Sequence, residues 1–387
     1  MENRTSYMKN HSFLKGALAG ALVVLLAGGV VSCGILKSEE GRKMDLLNSL
    51  IDQYYIGDVD EAELSEGVYK GYIEGLGDPY SVYYDEEETE QMNESLSGEF
   101  GGVGALMSQD RDSGVITVLQ VYDGSPAQEA GMRDGDTLYK VEGEEVIGED
   151  LSDVVSKVKG EKGTQVTLTV LRADTGEEEE LTITRDTIQA QTVSHEMKED
   201  NVGYIRIAEF DAVTYDQYKE ALEDLESQGM EKLIVDLRSN PGGNLDTVCD
   251  ILDLMLPEGL IVYTEDKNGE REEYTSDEEH QFDKPLVVMM NGYSASASEI
   301  FAGAIQDYGL GQIVGTQSYG KGVVQSIFDL QDGTSVKLTI AEYFTPNGRS
   351  IDGEGITPDV EVEYQYDEND PEADNQLDRA MEVLAQQ

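Results

Sequence analysis

The sequence predicts a multi-domain α/β protein, and three observations carry that prediction. From about residue 187 to residue 365 strands alternate with helices, and several strands, such as KLIVDL and PLVVMMN, are continuously apolar. Strands of that kind belong in a parallel or mixed sheet covered on both faces. Residues 97–186 instead show short alternating strands separated by tight turns, the pattern of a compact β-rich module. Ahead of both lie residues 40–96 with helical spacing, and residues 16–36, which contain no charged side chain.

The N-terminus comes first in the chain. Arg4, Lys9 and Lys15 precede GALAGALVVLLAGGVVSCGIL, and Glu39 and Glu40 follow it. At about 1.5 Å per residue this run can cross a hydrocarbon layer of about 30 Å. The charge asymmetry then leaves residues 1–15 in the cytoplasm and the body outside a bacterial cell membrane, as a single-pass protein. Two alternatives stay open. A cleaved secretory signal would need a small-residue site, and no convincing one follows the apolar core. Val30 to Cys33 (VVSC) resembles a lipobox, which would make Cys33 a lipidated first residue. Gly16 and Gly20 form one GxxxG match, too little by itself to establish helix pairing.

Within residues 40–96, LLNSLIDQYYI and the run Glu63 to Ile73 have helical spacing, GLGDPYS breaks the pattern with Gly and Pro, and DEEETEQMNESL reads as an acidic helix ending near Gly98. In the β-rich module, FGGVGALM and GVITVLQVY alternate as strands. Ser125 caps a short helix with Pro126 at its first position, LSDVVSKVKG is an amphipathic helix, and TQVTLTVLR with EEELTITR closes a hairpin. The C-terminal series runs NVGYIRIAEF, a helix around YDQYKEALEDLESQG, KLIVDL, the turn RSNPGG, the helix LDTVCDILDLM, LIVYTE, an acidic hairpin or loop, PLVVMMN, the helix ASEIFAGAIQDYG and QIVGT. VVQSIF is expected to enter the core. Residues 366–387 read as a solvated linker and a last helix.

Composition narrows the function. Eighty acidic against 27 basic residues give a net charge of −53, which disfavours nucleic acid, whose affinity rests on Lys and Arg, and adsorption to anionic lipid. No cysteine–histidine grouping has zinc spacing, so no metal and no other cofactor is expected. Cys249 sits on an apolar helical pattern as a small buried hydrophobe.

Three serines crowd NGYSASASEIFAGA, residues 291–304, while the chain has only three histidines, His11, His195 and His280. Ser296 and Glu299 match a capping box, yet the same helix start would offer donors and partial positive charge to a developing oxyanion. The histidines fall in the leader, in an inter-domain connection and in an acidic run. Lys321, flanked by glycines in SYGKGVVQS, is the better base, because a lysine in a dry site loses charge stabilisation and titrates nearer neutrality. LRSNPGG, residues 237–243, is either a plain strand-to-helix turn or a loop whose amides face a substrate carbonyl.

The combination DLRSNPGG, NGYSASASEI and SYGKGVVQ, in that order, resembles the carboxyl-terminal processing proteases over residues 40–387. These are serine peptidases with a PDZ domain and a crotonase-like core. The resemblance implies Ser296 as nucleophile, Lys321, 25 positions on, as general base, and Gln325 orienting the lysine. It implies the backbone of Ala297 and of Gly242 or Gly243 as oxyanion donors. Asp307 sits where some members carry an assisting acid, and a plain helix-end role competes. Residues 97–186 then correspond to the PDZ domain, with Gly102, Val103 and Gly104 as its carboxylate-binding loop. Leu151, Val154, Val155 and Arg133 are secondary candidates. The expected partners are proteins or peptides with exposed C-terminal tails; a homo-oligomer or regulatory partner stays open. The alternatives are a catalytically silent PDZ-bearing scaffold and crotonase-type acyl-CoA chemistry.

Overall fold

A computed structural model describes residues 38–371 and 373–387, and the chain divides after Val68 into two compact units. The apolar run 16–36, Cys33 and His11 lie outside the described residues. Among the described residues no helix is long and apolar enough to cross a membrane.

The first unit holds α1 (Glu39–Tyr54), whose N-cap Ser38 accepts a hydrogen bond from the Gly41 amide, and the first half of α2 (Glu61–Glu74). No residue of α1 is buried, and Leu46, Leu47 and Leu50 are exposed.

The second unit holds the rest of α2, the GDPYS turn and then β1 (Val82–Tyr84), a short strand that the helical reading of this region did not anticipate. α3 (Glu86–Ser97) follows as expected. Asp85 caps it with a complete capping box, and Gly98 closes it in the left-handed conformation that only glycine adopts without penalty.

The β-rich module enters and leaves through a two-stranded ribbon of β2 (Glu99–Gly102) and β9 (Asp186–Gln189). Between them stand β3 (Ala105–Gln109), β4 (Ile116–Val121), β5 (Thr137–Val141), β6 (Glu144–Glu145), β7 (Gln165–Leu171) and β8 (Glu178–Thr184), joined antiparallel in the order β3-β4-β5-β7-β8, with β6 on β5. The helices α4 (Pro126–Glu129) and α5 (Leu151–Val158) accompany this sheet. Alternate residues point inward, so Ile116, Val118, Leu138, Val166, Leu168 and Ile183 form one core with Val154 of α5.

A second six-stranded sheet carries the strand–helix alternation. β10 (Val193–Met197) lies antiparallel at its edge, followed by parallel β11 (Val202–Ile207), β12 (Lys232–Asp236), β15 (Leu286–Met290), β16 (Gln312–Gly315) and β19 (Val360–Glu361). Every residue of β15 is buried because both faces are covered. Ile205, Leu233, Val235, Val288 and Met290 pack with α6 (Thr214–Ser227), α7 (Leu245–Asp253) and α8 (Ala297–Tyr308). Ile234, Val287, Met289 and Val314 face the other way, onto α9 (Asn375–Leu384).

Two strands depart from the sequence reading. LIVYTE, within β13 (Gly259–Asp266), leaves the alternating series for a second, antiparallel sheet ordered β1-β18-β13-β14. In that sheet β14 is Arg271–Ser276, β18 is Ser335–Phe344, and β17 (Val323–Asp329) pairs with β18. VVQSIF, in β17, has no buried residue, and Val324 packs against the core from a half-buried position. One face of the β17–β18 hairpin borders a cleft, and its end reaches solvent, with Phe328 46% exposed.

Candidate active site

β12 and β15 are parallel neighbours, so the turns at their C-terminal ends meet. Asn240 joins them from a fully buried position. Its side-chain amide donates to Ile207 O (3.0 Å), its Oδ1 accepts from the Gly242 amide (2.8 Å), and its carbonyl accepts from the Ala295 amide (3.1 Å) and Ser298 Oγ (3.0 Å). Gly242 and Gly243 have φ of 108° and 140°, which side chains rarely adopt. A Cβ on Gly243 would lie 2.3 Å from Phe210 O, and one on Gly242 would lie 2.8 Å from Ser296 Cβ. The turn is therefore glycine because backbone packs on backbone beside Ser296.

The three serines differ in what holds them. Ser294 Oγ donates to Leu237 O (2.8 Å) and accepts from the Asn291 amide (2.9 Å), and Ser298 Oγ donates to Asn240 O; both are 1% exposed. Ser296 is half-buried; its hydroxyl serves the helix start only as an acceptor in a capping box with Glu299 and donates to no acceptor among the described residues, and its φ of 55° and ψ of −114° lie outside the usual range for a side-chain-bearing residue. Such a conformation costs on the order of 1–3 kcal/mol and persists only where the surroundings impose it. The constraint comes largely from Glu299.

The Glu299 carboxylate, fully buried, accepts four hydrogen bonds: the Ser296 amide (2.8 Å) and Lys321 amide (2.9 Å) on Oε2, and Ser318 Oγ (2.6 Å) and the Gly320 amide (2.7 Å) on Oε1. Tyr343, 1% exposed, faces the Ser296 carbonyl (3.2 Å) and the Lys321 carbonyl with its hydroxyl, and burial holds that phenol well above its ordinary pKa. Two buried side chains thus fix the backbones of Ser296 and Lys321 against each other. The sequence pattern flagged Glu299 only as a helix cap and did not single out Tyr343.

Ser296, Ala297, Gly242, Gly243, Lys321 and Gln325 line one cleft of about 350 Å³, with Glu209, Lys337 and Tyr343. Burial, reinforced by Lys337, lowers the Lys321 pKa, and Glu299 and Asp78 oppose that shift. No hydrogen bond joins Lys321 Nζ to Ser296 Oγ among the described residues. The Gly242 amide is engaged by Asn240, whereas the amides of Gly243 and Ala297 have no acceptor there. Gln325 lies in the cleft but donates to Val323 O and Thr339 Oγ1, both at 3.3 Å, and not to the lysine. Asp307 is elsewhere: it binds Arg349 and the Asn347 amide (2.9 Å), bracing the 345–349 turn. His195 pairs with Asp224 on the surface (2.9 Å), and neither it nor His280 lines the cleft.

In the β-rich module Gly104 has φ of +81° and packs where a Cβ would lie 2.4 Å from Ser125 Cβ, while Val103 is buried and its carbonyl accepts from the Ala127 amide (2.8 Å). Gly102 ends β2, so the 102–104 loop leads directly into β3. Val154 is fully buried, Leu151 and Val155 are half-buried, and Arg133 is exposed. Among the described residues no group of His, Cys, Asp and Glu could hold a metal ion.

Comparison with known proteins gives three family matches: peptidase family S41 over residues 201–362, a PDZ domain over 117–172, and the N-terminal domain of the activating protease CtpB over 32–89. The carboxy-terminal processing protease CtpA of Bacillus subtilis (strain 168) is 36% identical over 355 residues, 90% of this chain and 76% of that protein. CtpB of the same organism is 35% identical, covering 84% of this chain and 69% of its own length. The crystal structure of a putative S41 protease from Bacteroides fragilis NCTC 9343, at 18% identity, covers 86% of this chain and 92% of that one with a TM-score of 0.53, a likeness of fold.

Proposed function

The chain belongs to the carboxy-terminal processing serine proteases of peptidase family S41, and from that premise we propose that it is an extracytoplasmic endopeptidase that recognises C-terminal tails through its PDZ domain and cleaves with Ser296 and Lys321. One observation carries the reading. Of three neighbouring serines, only Ser296 does not spend its hydroxyl proton on a backbone carbonyl, and it lies in a cleft that also holds a lysine of lowered pKa and two unengaged amides.

In this mechanism neutral Lys321 takes the Ser296 proton as Oγ attacks the scissile carbonyl. The amides of Gly243 and Ala297 receive the oxyanion, and Lys321 returns the proton to the leaving amine before water hydrolyses the acyl-enzyme. Gly243 replaces Gly242 as the preferred donor because the Gly242 amide already has Asn240 as its acceptor. That no hydrogen bond joins lysine and serine among the described residues is compatible with a resting arrangement, since catalytic hydrogen bonds often tighten only when substrate binds. The Gly102–Gly104 loop would hold a terminal carboxylate through backbone amides, by charge-assisted bonds stronger than neutral ones. The uncharged run 16–36 behind a basic leader supports a membrane-anchored, outward-facing body, with lipidation of Cys33 as the other arrangement.

The test compares the full chain with Ser296→Ala, Lys321→Ala, Ser294→Ala and Ser298→Ala on an unstructured protein with a free C-terminus. The first two should abolish cleavage while the fold, followed by circular dichroism, is retained. Full activity in either would remove the assignment, and an intact wild type that binds tails without cutting them would establish the scaffold instead.

A further inference from the structure

The turn GLGDPYS serves in the sequence only to interrupt helices, yet it brings an aromatic ring to Lys321 of the catalytic cleft. Gly77 has φ of +72°, and Asp78 closes the turn by accepting from the Tyr80 amide (3.0 Å) and from Ser81 Oγ (2.6 Å). Ser81 Oγ in turn accepts from the Thr339 amide (3.1 Å), and β1 continues the anchoring by pairing Val82 with Lys337 of β18. A turn closed by Asp78 and tied through Ser81 and Val82 to the hairpin beside the cleft holds Tyr80 in one place. Its ring centroid lies 5.0 Å from Lys321 Nζ.

That ring stands where a stabiliser is needed. Among the described residues Lys321 Nζ has no hydrogen bond and no ion pair. The carboxylate of Glu299 is occupied by four other donors, and that of Asp78 by two. Lys337, which repels Lys321, has an aromatic face of its own, 5.3 Å from Tyr84. When Ser296 Oγ bonds to the carbonyl carbon, its proton passes to the lone pair of Nζ and the carbonyl oxygen takes the displaced electron pair. The neutral amine becomes an ammonium in a partly dry cleft, without a counterion in contact. The negative face of an aromatic ring is the remaining favourable surface for that charge.

We propose that Tyr80 is a positioning residue for the reaction, its ring face steadying the Lys321 ammonium that forms when Ser296 attacks. This rests on Lys321 being the base. The hydroxyl of Tyr80 is not required by it: burial first, then Tyr319, Asp352 and Asp78, raise the phenol's pKa, so it stays protonated through the working range. The groups facing Lys321 are Lys337, which pushes its pKa down, and Glu299 and Asp78, which push it up; Tyr343 abuts the same cluster. Asp78 and Tyr343 are coupled to Tyr80 through its phenol, so Tyr80→Phe, which removes the phenol and keeps the ring, separates that coupling from the effect of the ring face. A ring face that favours the cation also raises the lysine's pKa, so its removal must move the acidic limb of the rate profile to lower pH.

The experiment uses the full chain as wild type, Tyr80→Phe, Tyr80→Leu and Lys321→Ala, with a fluorogenic peptide carrying a free C-terminus, from about pH 6 to about pH 10. Tyr80→Leu should lower kcat by about 5- to 30-fold, leave KM within about 2-fold and shift the acidic limb of kcat/KM down by about half to one and a half units. Tyr80→Phe, which keeps the ring, should retain the limb and most of kcat. Placing 4-cyanophenylalanine at position 80 preserves the ring's shape while weakening its face. It should behave like leucine, and it decides the matter if the leucine variant does not fold. Wild-type kcat and limb in the leucine or cyano variant overturn the proposal, as does an equal loss in Tyr80→Phe. Cleavage surviving in Lys321→Ala would instead overturn the assignment of the base.

Discussion

Replacing Glu299 tests whether one buried carboxylate sets the geometry of the site. In Glu299→Ala four donors lose their acceptor: the amides of Ser296, Gly320 and Lys321, and the Ser318 hydroxyl. A buried donor left unsatisfied costs about 1–3 kcal/mol, so even the low end for four is roughly 4 kcal/mol, a large part of a typical domain stability of about 5–15 kcal/mol. Glu299→Gln is milder. The amide oxygen can keep Ser296 and Lys321 while the amide nitrogen turns toward Ser318, whose hydroxyl already accepts from the Ile356 amide (2.6 Å) and can accept again. The Gly320 amide is then orphaned, at about 1–3 kcal/mol, while the Ser318 proton also loses its carboxylate acceptor and the new amide N–H···Oγ bond offsets that second loss. The assay is urea unfolding followed by tyrosine fluorescence, with kcat and KM measured on the same samples. We expect Glu299→Gln to lose about 1–3 kcal/mol, with kcat down by about 10-fold or more, because displacements near 1 Å in a catalytic constellation can cost about 100-fold. Glu299→Ala should lose roughly 4 kcal/mol or fail to fold. An alanine variant within about 1 kcal/mol of wild type and with unchanged kcat would refute the reasoning.

Two further substitutions probe the turn beside Ser296 and the carboxyl groups near it. Gly243→Ala places a Cβ 2.3 Å from Phe210 O at a φ of 140°. The peptide must rotate, and kcat should fall by about 100- to 1,000-fold with a smaller change in KM; a kcat within a few-fold of wild type would exclude the Gly243 amide as an oxyanion donor. Asp211, 5% exposed, has its pKa raised to about 7 by burial and by Glu209. Its folded form therefore binds more protons than the unfolded chain between the ordinary carboxylate value of 3.8 and about 7, so stability falls as pH rises through that window. Asp211→Asn should accordingly be more stable than wild type by on the order of a few kcal/mol near pH 8, and the gain should shrink toward pH 4. A gain independent of pH would show that the carboxyl charge is not the cause.

The sequence by itself carried the element types wherever local physics decides them. The Asp85 cap and the Gly98 terminus bracket α3 because a capping carboxylate and a left-handed glycine act within a few residues. The apolar runs KLIVD and LVVMM could only be strands buried on both faces. The motifs of the S41 peptidases identified the segments that meet at the cleft, and Ser296, Lys321 and the Gly242–Gly243 turn line it together.

Other features depend on contacts between distant residues, and no local pattern encodes those. Sheet membership is one: β13 has the apolar pattern of the parallel series, yet its pairing with β14 and β18 places it in the antiparallel sheet. The choice among serines is another, since Ser294 and Ser298 are silenced by the carbonyls of Leu237 and Asn240, more than fifty residues away in sequence. The same holds for Gly242, whose amide is taken by Asn240, and for Asp307, which braces a turn instead of facing the cleft. Tyr343 reaches the cleft on β18, and Tyr80 reaches Lys321 because β1 pairs with β18 and Ser81 is bonded to Thr339. Hydrogen bonds and ring contacts act over a few ångströms of space, and only the folded chain brings those residues within that range.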